Sequence, residues 1–296
     1  LSRIIPLSCI PTAMPSENIR QLTISNLSER VFSITQLETY AQCPFKYFMQ
    51  YLLHTKAWQL YPEDNTALTK GNFFHKIAEE FMQLYLKRPL PTMDAAQSDL
   101  KHIFDRLFDG VITENTYTWQ LERNKTYGLL LKWLRTEWAA FGSYRPYKVE
   151  WAFGRGTVPV TIGNIRLEGK IDRIDTDGSH LRLTDYKLGN FPNAKGFFEN
   201  TIDLQMPVYM IIAQQLLNQP VTYCNYYSFR KGSLGEYINT TQADYNYERI
   251  YEYIHDVLSK IMQRMAQGDF QPTVNPGCPY CDYLNICRAD ASAAAE

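Results

Sequence analysis

The chain has 296 residues and a formal net charge of −1 at pH 7, with 30 Lys and Arg against 31 Asp and Glu. This balance excludes a protein that holds a polyanion through overall positive charge, so any nucleic-acid contact must come from local basic patches. Hydrophobic residues make up 45% of the chain, which is enough for a sizeable core. The sequence has no long apolar run and no signal-peptide layout. We therefore expect a cytoplasmic protein that does not span a membrane.

Residue composition predicts three regions. Residues 1–32 begin with Leu rather than Met and are rich in Ser, Pro and Asn, so we expect a linker or N-terminal extension within a longer polypeptide. Organised sequence covers residues 33–288, and a chain of this length could hold one large domain or two small ones. Residues 289–296 are mostly Ala and are predicted to be a tail.

Two helices are predicted in the first part of this domain. The Thr35–Glu38 spacing fits a capping box, so we expect a helix from Thr35 towards Leu53, with a break where Pro44 follows Cys43. A second helix follows Gly71, and its apolar stripe has His75 at one border. A histidine in this position is most often packed or hydrogen-bonded, and a role as ligand is the alternative.

The middle of the chain is predicted to change from helices to strands. The helices cover residues 93–110 and 119–141, and the strands cover 147–153, 157–162, 165–175 and 180–187. Asp177-Gly178 separates the last two strands, and Asp-Gly between alternating runs is typical of a β-hairpin.

Strand periodicity puts charged residues at one end of this hairpin. Asp185 and Lys187 share a face with Leu181 and Leu183, and the hairpin brings Asp172 alongside them. A surface salt bridge is one interpretation of Asp185 and Lys187. Because a partly buried ion pair is costly, a metal ion with an anionic substrate is the other.

Downstream of the hairpin we expect a loop, two helices and a strand between them. The loop 189–198 contains Lys195. In the helix 201–217, Gln205 and Tyr209 are four residues apart and so lie on one face. A strand at 221–229 and a long helix at 247–267 follow.

Three cysteines close the chain in the pattern C-x2-C-x5-C: Cys278, Cys281 and Cys287. A cytoplasmic protein would not normally use them as disulfides. Three thiolates leave a metal site one ligand short, and Cys43 shares the Cys-Pro context of Cys278. Four thiolates suit either an iron-sulfur cluster or zinc.

Taken together, "GKIDRID" and "LTDYKLG" resemble the core of the PD-(D/E)xK nucleases, in the AddB and RecB exonuclease branch that includes Cas4-like nucleases. Ile171 stands where the superfamily's leading Pro would be, which is usual in this branch. The resemblance implies an α/β restriction-endonuclease-like fold with a mixed central β-sheet flanked by helices. The resemblance extends from Cys43 to Cys287 and so implies a single nuclease domain at 33–288.

The resemblance also implies roles for individual residues. Gly71-Asn-Phe-Phe-His75 matches the G-x-x-x-H helix, so His75, Asp172 and Asp185 would bind Mg2+ or Mn2+. Asp172, Asp185, Lys187, Gln205 and Tyr209 would form the catalytic set, the last two through the Q-x-x-x-Y helix. The split arrangement of Cys43 and the three C-terminal cysteines resembles a 4Fe-4S clasp that joins the N- and C-terminal segments, with structural Zn2+ as the alternative.

The implied function is metal-dependent DNA hydrolysis, as an exonuclease in double-strand break repair and recombination. The partners would be DNA and a helicase, or a helicase-like region of the same polypeptide. Arg173, Lys195 and Arg230 are candidates for contact with nucleic acid. The alternatives are a stand-alone Cas4-like nuclease, a DNA-binding module with little activity, or a metal-stabilised scaffold.

Overall fold

The computed structural model describes residues 27, 29–55, 67–109, 117–154, 156, 160–192, 198, 203–287 and 289. Contacts divide the chain into two compact units, each assembled from separate segments. The first contains Leu1–Leu60, Gly154–Glu168 and Glu252–Glu296, and the second contains Tyr61–Phe153 and Gly169–Tyr251. The single domain at 33–288 stays a prediction. Most of the predicted linker (residues 1–26 and 28), Lys195 and nearly all of the tail lie outside the described residues, whereas residues 31 and 32 of that linker already belong to a strand.

The first unit begins with strand β1 (Val31–Ser33) and helix α1 (Ile34–Gln42). A capping box does start α1, but the prediction of Thr35 and Glu38 is wrong: it is formed by Ser33 and Gln36, two residues earlier. Ser33 has extended backbone and accepts a hydrogen bond from the Gln36 amide, as an N-cap residue does.

The predicted break at Cys43 is confirmed. Cys43 is extended, with φ −159°, and Pro44 then opens the short helix α2 (Pro44–Tyr47), followed by a π-helical turn (Phe48–Leu52). Proline is favoured at the first helical position because it has no amide hydrogen to leave unpaired.

The first unit also contains β3 (Val160–Ile162) and the first residues of β4 (Ile165–Thr176). There β4 runs parallel to β1 and antiparallel to β3. Most of helix α7 (Tyr247–Ala266) belongs to this unit as well. Beyond α7, the Tyr40 hydroxyl donates to the Asp269 carbonyl at 2.6 Å, and the Phe270 ring stacks on that of Tyr47.

The second unit begins with three helices, α3 (Ala67–Gln83), α4 (Met93–Asp109) and α5 (Tyr117–Ala140). Their apolar faces meet in a core that includes the fully buried Phe81 and Trp133. Among the described residues, no helix is long and apolar enough to cross a membrane.

The sheet of the second unit is mixed, and this expected feature of the fold is confirmed. The rest of β4 lies between antiparallel neighbours β2 (Arg145–Phe153) and β5 (Leu181–Lys187). β5 runs parallel to β6 (Val221–Ser228), and β6 pairs antiparallel with β7 (Ser233–Asn239), which the sequence analysis did not predict. Helix α6 (Gln205–Leu217) lies in the β5–β6 connection, since parallel neighbours need a crossover.

The predicted β4–β5 hairpin is confirmed. Gly178 has φ +98°, which favours glycine, and the Asp177 carboxylate accepts hydrogen bonds from the amides of Ser179 and His180. This turn fixes the register in which the two strands present their charged residues.

Candidate active site

The second unit brings together the predicted functional side chains from several of its elements. His75 lies in the middle of α3, Asp172 lies in β4, and Asp185 and Lys187 lie at the carboxyl end of β5. Gln205 is the first residue of α6, and Tyr209 lies one turn further along it. Although they are distant in sequence, these residues converge at one edge of the sheet.

His75 and Asp172 contact each other directly. The His75 Nδ1 atom lies 3.3 Å from Asp172 Oδ2, and the same oxygen accepts a hydrogen bond from the Tyr186 amide at 2.8 Å. Burial lowers the pKa of His75, but the hydrogen bond to Asp172 and the nearby carboxylates outweigh it, so the pKa is raised overall. An imidazole and a carboxylate are thus available together as metal donors.

Glu150 is a member of this group that the sequence analysis missed. Three side chains can each offer one ligand atom, and these atoms lie within 4.8 Å of one another: those of His75, Glu150 and Asp172. The pairings Val149–Arg173 and Trp151–Ile171 place Glu150 opposite Asp172. Its φ of +49° is uncommon for a residue other than glycine, and such strained backbone clusters at functional sites.

Lys170 forms an ion pair with Glu150 at the rim of the site. Burial raises the pKa of the Glu150 carboxyl, the Lys170 contact opposes this, and the charge of Asp172 adds to it. A lysine ammonium therefore compensates part of the negative charge that gathers at this point.

A cavity of about 300 Å³ opens onto the same group. It is lined by Asn72, His75, Lys76, Glu79, Glu150, Lys170 and Asp172. The volume is at the small end of the range for ligand sites, and the lining is polar. The donors of the cavity are carboxylates and an imidazole, which suit a small divalent cation such as Mg2+ or Mn2+.

Asp185, Lys187 and Gln205 form a closed ring of contacts next to this group. The Lys187 ammonium lies 2.8 Å from Asp185 Oδ2 and donates to Gln205 Oε1 at 2.7 Å. The Gln205 amide nitrogen donates to Asp185 Oδ1 at 2.7 Å and reaches the Tyr209 hydroxyl at 3.3 Å. One glutamine therefore contacts both members of the Asp-x-Lys pair.

The environment of Asp185 disfavours its charge. Burial, followed by the negative charge of Asp172, raises the pKa of Asp185 to about 7, although Lys187 opposes the shift. Burial lowers the pKa of Lys187, but the charge and hydrogen bond of Asp185 raise it overall. Titratable groups perturbed in this way cluster at functional sites.

Asp203 and Tyr226 support the ring of contacts. The Asp203 carboxylate accepts hydrogen bonds from the Gln205 amide at 3.2 Å and from the Tyr226 hydroxyl at 2.8 Å. The Lys187 ammonium lies 5.5 Å from the centre of the Tyr226 ring, a cation–π distance. The start of α6 is thus fixed relative to the end of β5.

Gly169 allows Tyr209 to reach the site. A Cβ atom at this position would lie 2.6 Å from the Phe153 ring and 3.3 Å from that of Tyr209, so a side chain would displace both. The two rings meet edge to face with centroids 5.9 Å apart.

The prediction that Arg173 contacts nucleic acid is wrong. Its side chain is 1% exposed and donates to Glu137 at 2.7 Å and to the Tyr186 hydroxyl at 2.6 Å, on the side of the strand opposite Asp172. A strand of nucleic acid could not reach it. Arg230 is exposed, as the prediction requires.

The four predicted cysteine ligands all belong to the first unit. Cys43, Cys278, Cys281 and Cys287 carry free thiols that are partly exposed. Burial raises the pKa of Cys287, and the charges of Cys43, Cys281 and Cys278 raise it further, so the four thiols are neighbours. Among the described cysteines, no three sulfur atoms lie within 4.8 Å of one another. Cys224, in β6, is completely buried, as is common for a free cysteine that packs as a small hydrophobic residue.

A mixed sheet that presents Asp172 and the Asp185-x-Lys187 pair at one edge is the pattern of a known class of enzymes. The sequence profile of the PD-(D/E)XK nuclease superfamily matches residues 31–288, so the chain belongs to this superfamily. Its relation to AddB nucleases is distant.

Three curated relatives illustrate the similarity, and each is the B subunit of an ATP-dependent helicase/deoxyribonuclease. The chain is 25% identical over 372 aligned positions to the one from Clostridium perfringens strain SM101, with 93% of this chain and 31% of the relative covered. It is 31% identical to the one from Acetivibrio thermocellus, over 54% of this chain and 15% of the relative. It is 30% identical to the one from Moorella thermoacetica, over 60% of this chain and 17% of the relative. The chain therefore spans less than a third of the length of these curated relatives.

Proposed function

We propose that this chain is a Mg2+- or Mn2+-dependent deoxyribonuclease that hydrolyses phosphodiester bonds, acting as an exonuclease. The observation that carries the proposal is the convergence of two groups in one unit. His75, Glu150 and Asp172 form a compact set of metal donors, and Asp185, Lys187 and Gln205 form a hydrogen-bonded ring beside it.

The donor set fits a hard divalent cation. His75 and Asp172 are the predicted ligands, and the geometry favours Glu150 as a third. Asp185, also a predicted ligand, lies outside this compact group and acts on it through its charge, which also affects the pKa of His75. When bound, the ion would lower the pKa of a coordinated water and polarise the phosphate.

Lys187 and Gln205 have separate tasks in this scheme. The Lys187 ammonium is oriented by Asp185 and Gln205, so it can hold the attacking water and offset the negative charge that develops on the phosphoryl oxygens. Gln205 keeps Asp185 and Lys187 at a fixed separation. We assign the positioning of the DNA strand to the Tyr209 hydroxyl, which Gln205 also contacts.

Two variants and one control test this assignment. Asp185→Ala and Lys187→Ala should abolish Mg2+-dependent degradation of single- and double-stranded DNA, while circular dichroism and thermal unfolding show a retained fold. Lys87→Ala removes an exposed lysine after α3 and should leave activity unchanged. Full activity in either site variant would refute the proposal.

The names of the relatives support a role for this nuclease alongside a helicase. Each is named as part of an enzyme that combines a helicase with a deoxyribonuclease, and the region of similarity is only a fraction of its length. We propose that this chain works with a helicase partner, or with a helicase-like region of the same polypeptide, in double-strand break repair and recombination. Coupled assays with ATP would test this, since degradation of duplex DNA by the complex should then depend on ATP.

We further propose that Cys43, Cys278, Cys281 and Cys287 hold a structural 4Fe-4S cluster. Nearby contacts support this: Asn275 donates to the Gln42 carbonyl at 3.3 Å, and the Tyr283 hydroxyl donates to the Thr55 carbonyl at 3.0 Å, so the segments that carry the cysteines are packed together. Four thiolates suit a 4Fe-4S cluster, and a structural zinc ion is the alternative.

Metal analysis of protein purified without oxygen separates the two candidates. We expect brown protein with bound iron and inorganic sulfide, and Cys281→Ser should lose both together with thermal stability. Colourless protein with stoichiometric zinc would contradict the iron-sulfur assignment and would leave the nuclease assignment untouched.

A further inference from the structure

A cluster of exposed basic side chains lies at the turn between β6 and β7, close to the end of β5 that carries Lys187. Arg230 and Lys231 form the turn itself, and Lys132 reaches it from α5. The Lys132 ammonium donates to the Lys231 carbonyl at 2.7 Å, which anchors the turn to the helix. We call Lys132, Arg230 and Lys231 the basic rim.

Sheet topology places the basic rim beside the candidate active site. β5 and β6 are parallel, so their carboxyl ends meet at the same edge of the sheet. Pairing continues past the strands: the Phe229 amide donates to the Lys187 carbonyl at 2.9 Å, and the Arg230 amide donates to the Leu188 carbonyl at 3.0 Å. The backbone of Arg230 is therefore held next to the residue that follows Lys187.

A stack of aromatic rings connects Lys187 to the rim. The Lys187 ammonium lies 5.5 Å from the centre of the Tyr226 ring, and that ring stacks on Phe191 with centroids 5.9 Å apart and an angle of 17° between the planes. The Lys231 ammonium lies 5.5 Å from the centre of the Phe191 ring. Two cations thus contact one aromatic stack, one at the site and one at the surface.

The rim's charges are available to a ligand. All three side chains are exposed, and none forms an ion pair with an acidic side chain in the part of the chain that the structure describes. This contrasts with other basic residues of the same unit, such as Lys101 and Arg123, which both pair with Asp105. Because the whole chain has a net charge of −1, a local group of free cations is the kind of patch that can hold a polyanion.

We infer that the basic rim binds the phosphodiester backbone of the nucleic-acid strand whose scissile phosphate lies at Lys187. This inference rests on the proposed nuclease function and adds the path that the strand takes as it leaves the site. Lys and Arg contacts to phosphates are sequence-independent and release counterions, so they produce affinity that falls steeply with salt. The rim would therefore set affinity without selecting a base sequence.

The salt dependence of binding tests this directly. The affinity of a fluorescent oligothymidylate is measured over a range of NaCl concentrations, with EDTA present so that no cleavage occurs. The variant Arg230→Glu with Lys231→Glu should bind more weakly and should have a shallower slope of log affinity against log salt. For a single strand, the slope falls by ~0.7 for each phosphate that the protein no longer neutralises. Arg230→Gln with Lys231→Gln should have the same shallower slope without added repulsion.

The chain offers a matched control in Lys87 and Arg88. This pair is also adjacent, exposed and in the second unit, so Lys87→Glu with Arg88→Glu changes the net charge by the same amount. We expect the control to keep the wild-type slope. An unchanged slope in the rim variants, or an equal change in the control, would overturn the inference.

The rim and the nuclease assignment can fail separately. DNA binding that depends on the rim, combined with no cleavage when Mg2+ or Mn2+ is added, would support the rim and refute the proposed activity. Cleavage by a protein whose DNA affinity does not change when the rim residues are substituted would refute the role of the rim and would support the proposed activity.

Discussion

Arg173 and Glu137 form an ion pair 2.7 Å long, with side chains that are 1% and 0% exposed. Arg173 also lies 3.0 Å from Asp175, which a second arginine, Arg182, contacts at 2.8 Å. These charges lie on the face of β4 and β5 opposite Asp172 and Asp185. They compensate one another beneath the sheet and so hold the two strands in the register that the site needs.

Removing the Arg173 guanidinium should strongly destabilise the fold. Arg173→Met leaves Glu137 buried without its cation, and breaking a buried pair in this way costs ~3–5 kcal/mol. Urea unfolding measured at neutral pH should show this loss. Adding Glu137→Gln to the same variant should restore part of it, because the uncompensated charge is then gone.

Arg166→Met is the comparison for this experiment. Arg166 is exposed and, among the residues that the structure describes, donates one long hydrogen bond of 3.5 Å to the Glu29 carbonyl, so its replacement should change the free energy of unfolding by about 0.5 kcal/mol or less. If Arg173→Met were no more destabilising than Arg166→Met, the buried network would have no structural role.

The sequence already contained a sign of this burial. Strand alternation puts Arg173 on the face of Ile171 and Gly169, the apolar side, and not on the face of Asp172. The prediction of nucleic-acid contact relied on charge alone. Local patterns correctly predicted the hairpin and the position of Gln205 and Tyr209 on one face of a helix. A single turn determines the first, and the helical repeat determines the second.

Glu150 could not be found in this way. Its position opposite Asp172 depends on the pairing of β2 with β4, and its carboxylate joins the group around His75 from a left-handed backbone that no local signal in the sequence indicates. β7 was missed for a related reason. Its residues include Gly235 and Glu236, which disfavour strands, and pairing with β6 overrides that preference.

Glu150→Gln should weaken binding of Mn2+. The substitution keeps the shape of the side chain but replaces a charged oxygen donor by a neutral amide. The affinity for Mn2+ should therefore fall about ten-fold or more, because loss of a residue that only hydrogen-bonds to a metal ligand already lowers metal affinity by 10–100-fold. Isothermal titration calorimetry of the protein with Mn2+ measures this without substrate. Asp244→Asn removes an exposed carboxylate that pairs with Arg249 and does not line the cavity, and it should have no effect on Mn2+ binding. Equal affinities in the wild type and Glu150→Gln would exclude Glu150 as a ligand.

Gln205→Ala should reduce kcat more than it changes KM. Without the glutamine, Lys187 loses an acceptor at 2.7 Å and Asp185 loses a donor at 2.7 Å, so both side chains gain freedom at the site. Mispositioned catalytic groups cost on the order of 10²-fold in rate. Steady-state cleavage of an oligonucleotide gives both constants. Gln83→Ala, which removes an exposed hydrogen bond to Glu79, serves as the control. A large rise in KM with an unchanged kcat would mean that Gln205 binds substrate and does not orient the Asp-x-Lys pair.

In metal-free protein, Asp185 should make stability fall as pH rises. Burial, together with the charge of Asp172, raises the pKa of Asp185 from 3.8 to about 7 in the folded state. Between these two values the folded protein keeps a proton that the unfolded chain has released, so the free energy of unfolding decreases with pH across this window. Urea unfolding in EDTA at several pH values should show this loss, and Asp185→Asn, which cannot ionise, should lack it. The informative quantity is the difference between the two proteins, since other groups titrate in both. A difference that stays constant from pH 3.8 to about 7 would mean that Asp185 ionises as readily in the folded protein as in the unfolded chain.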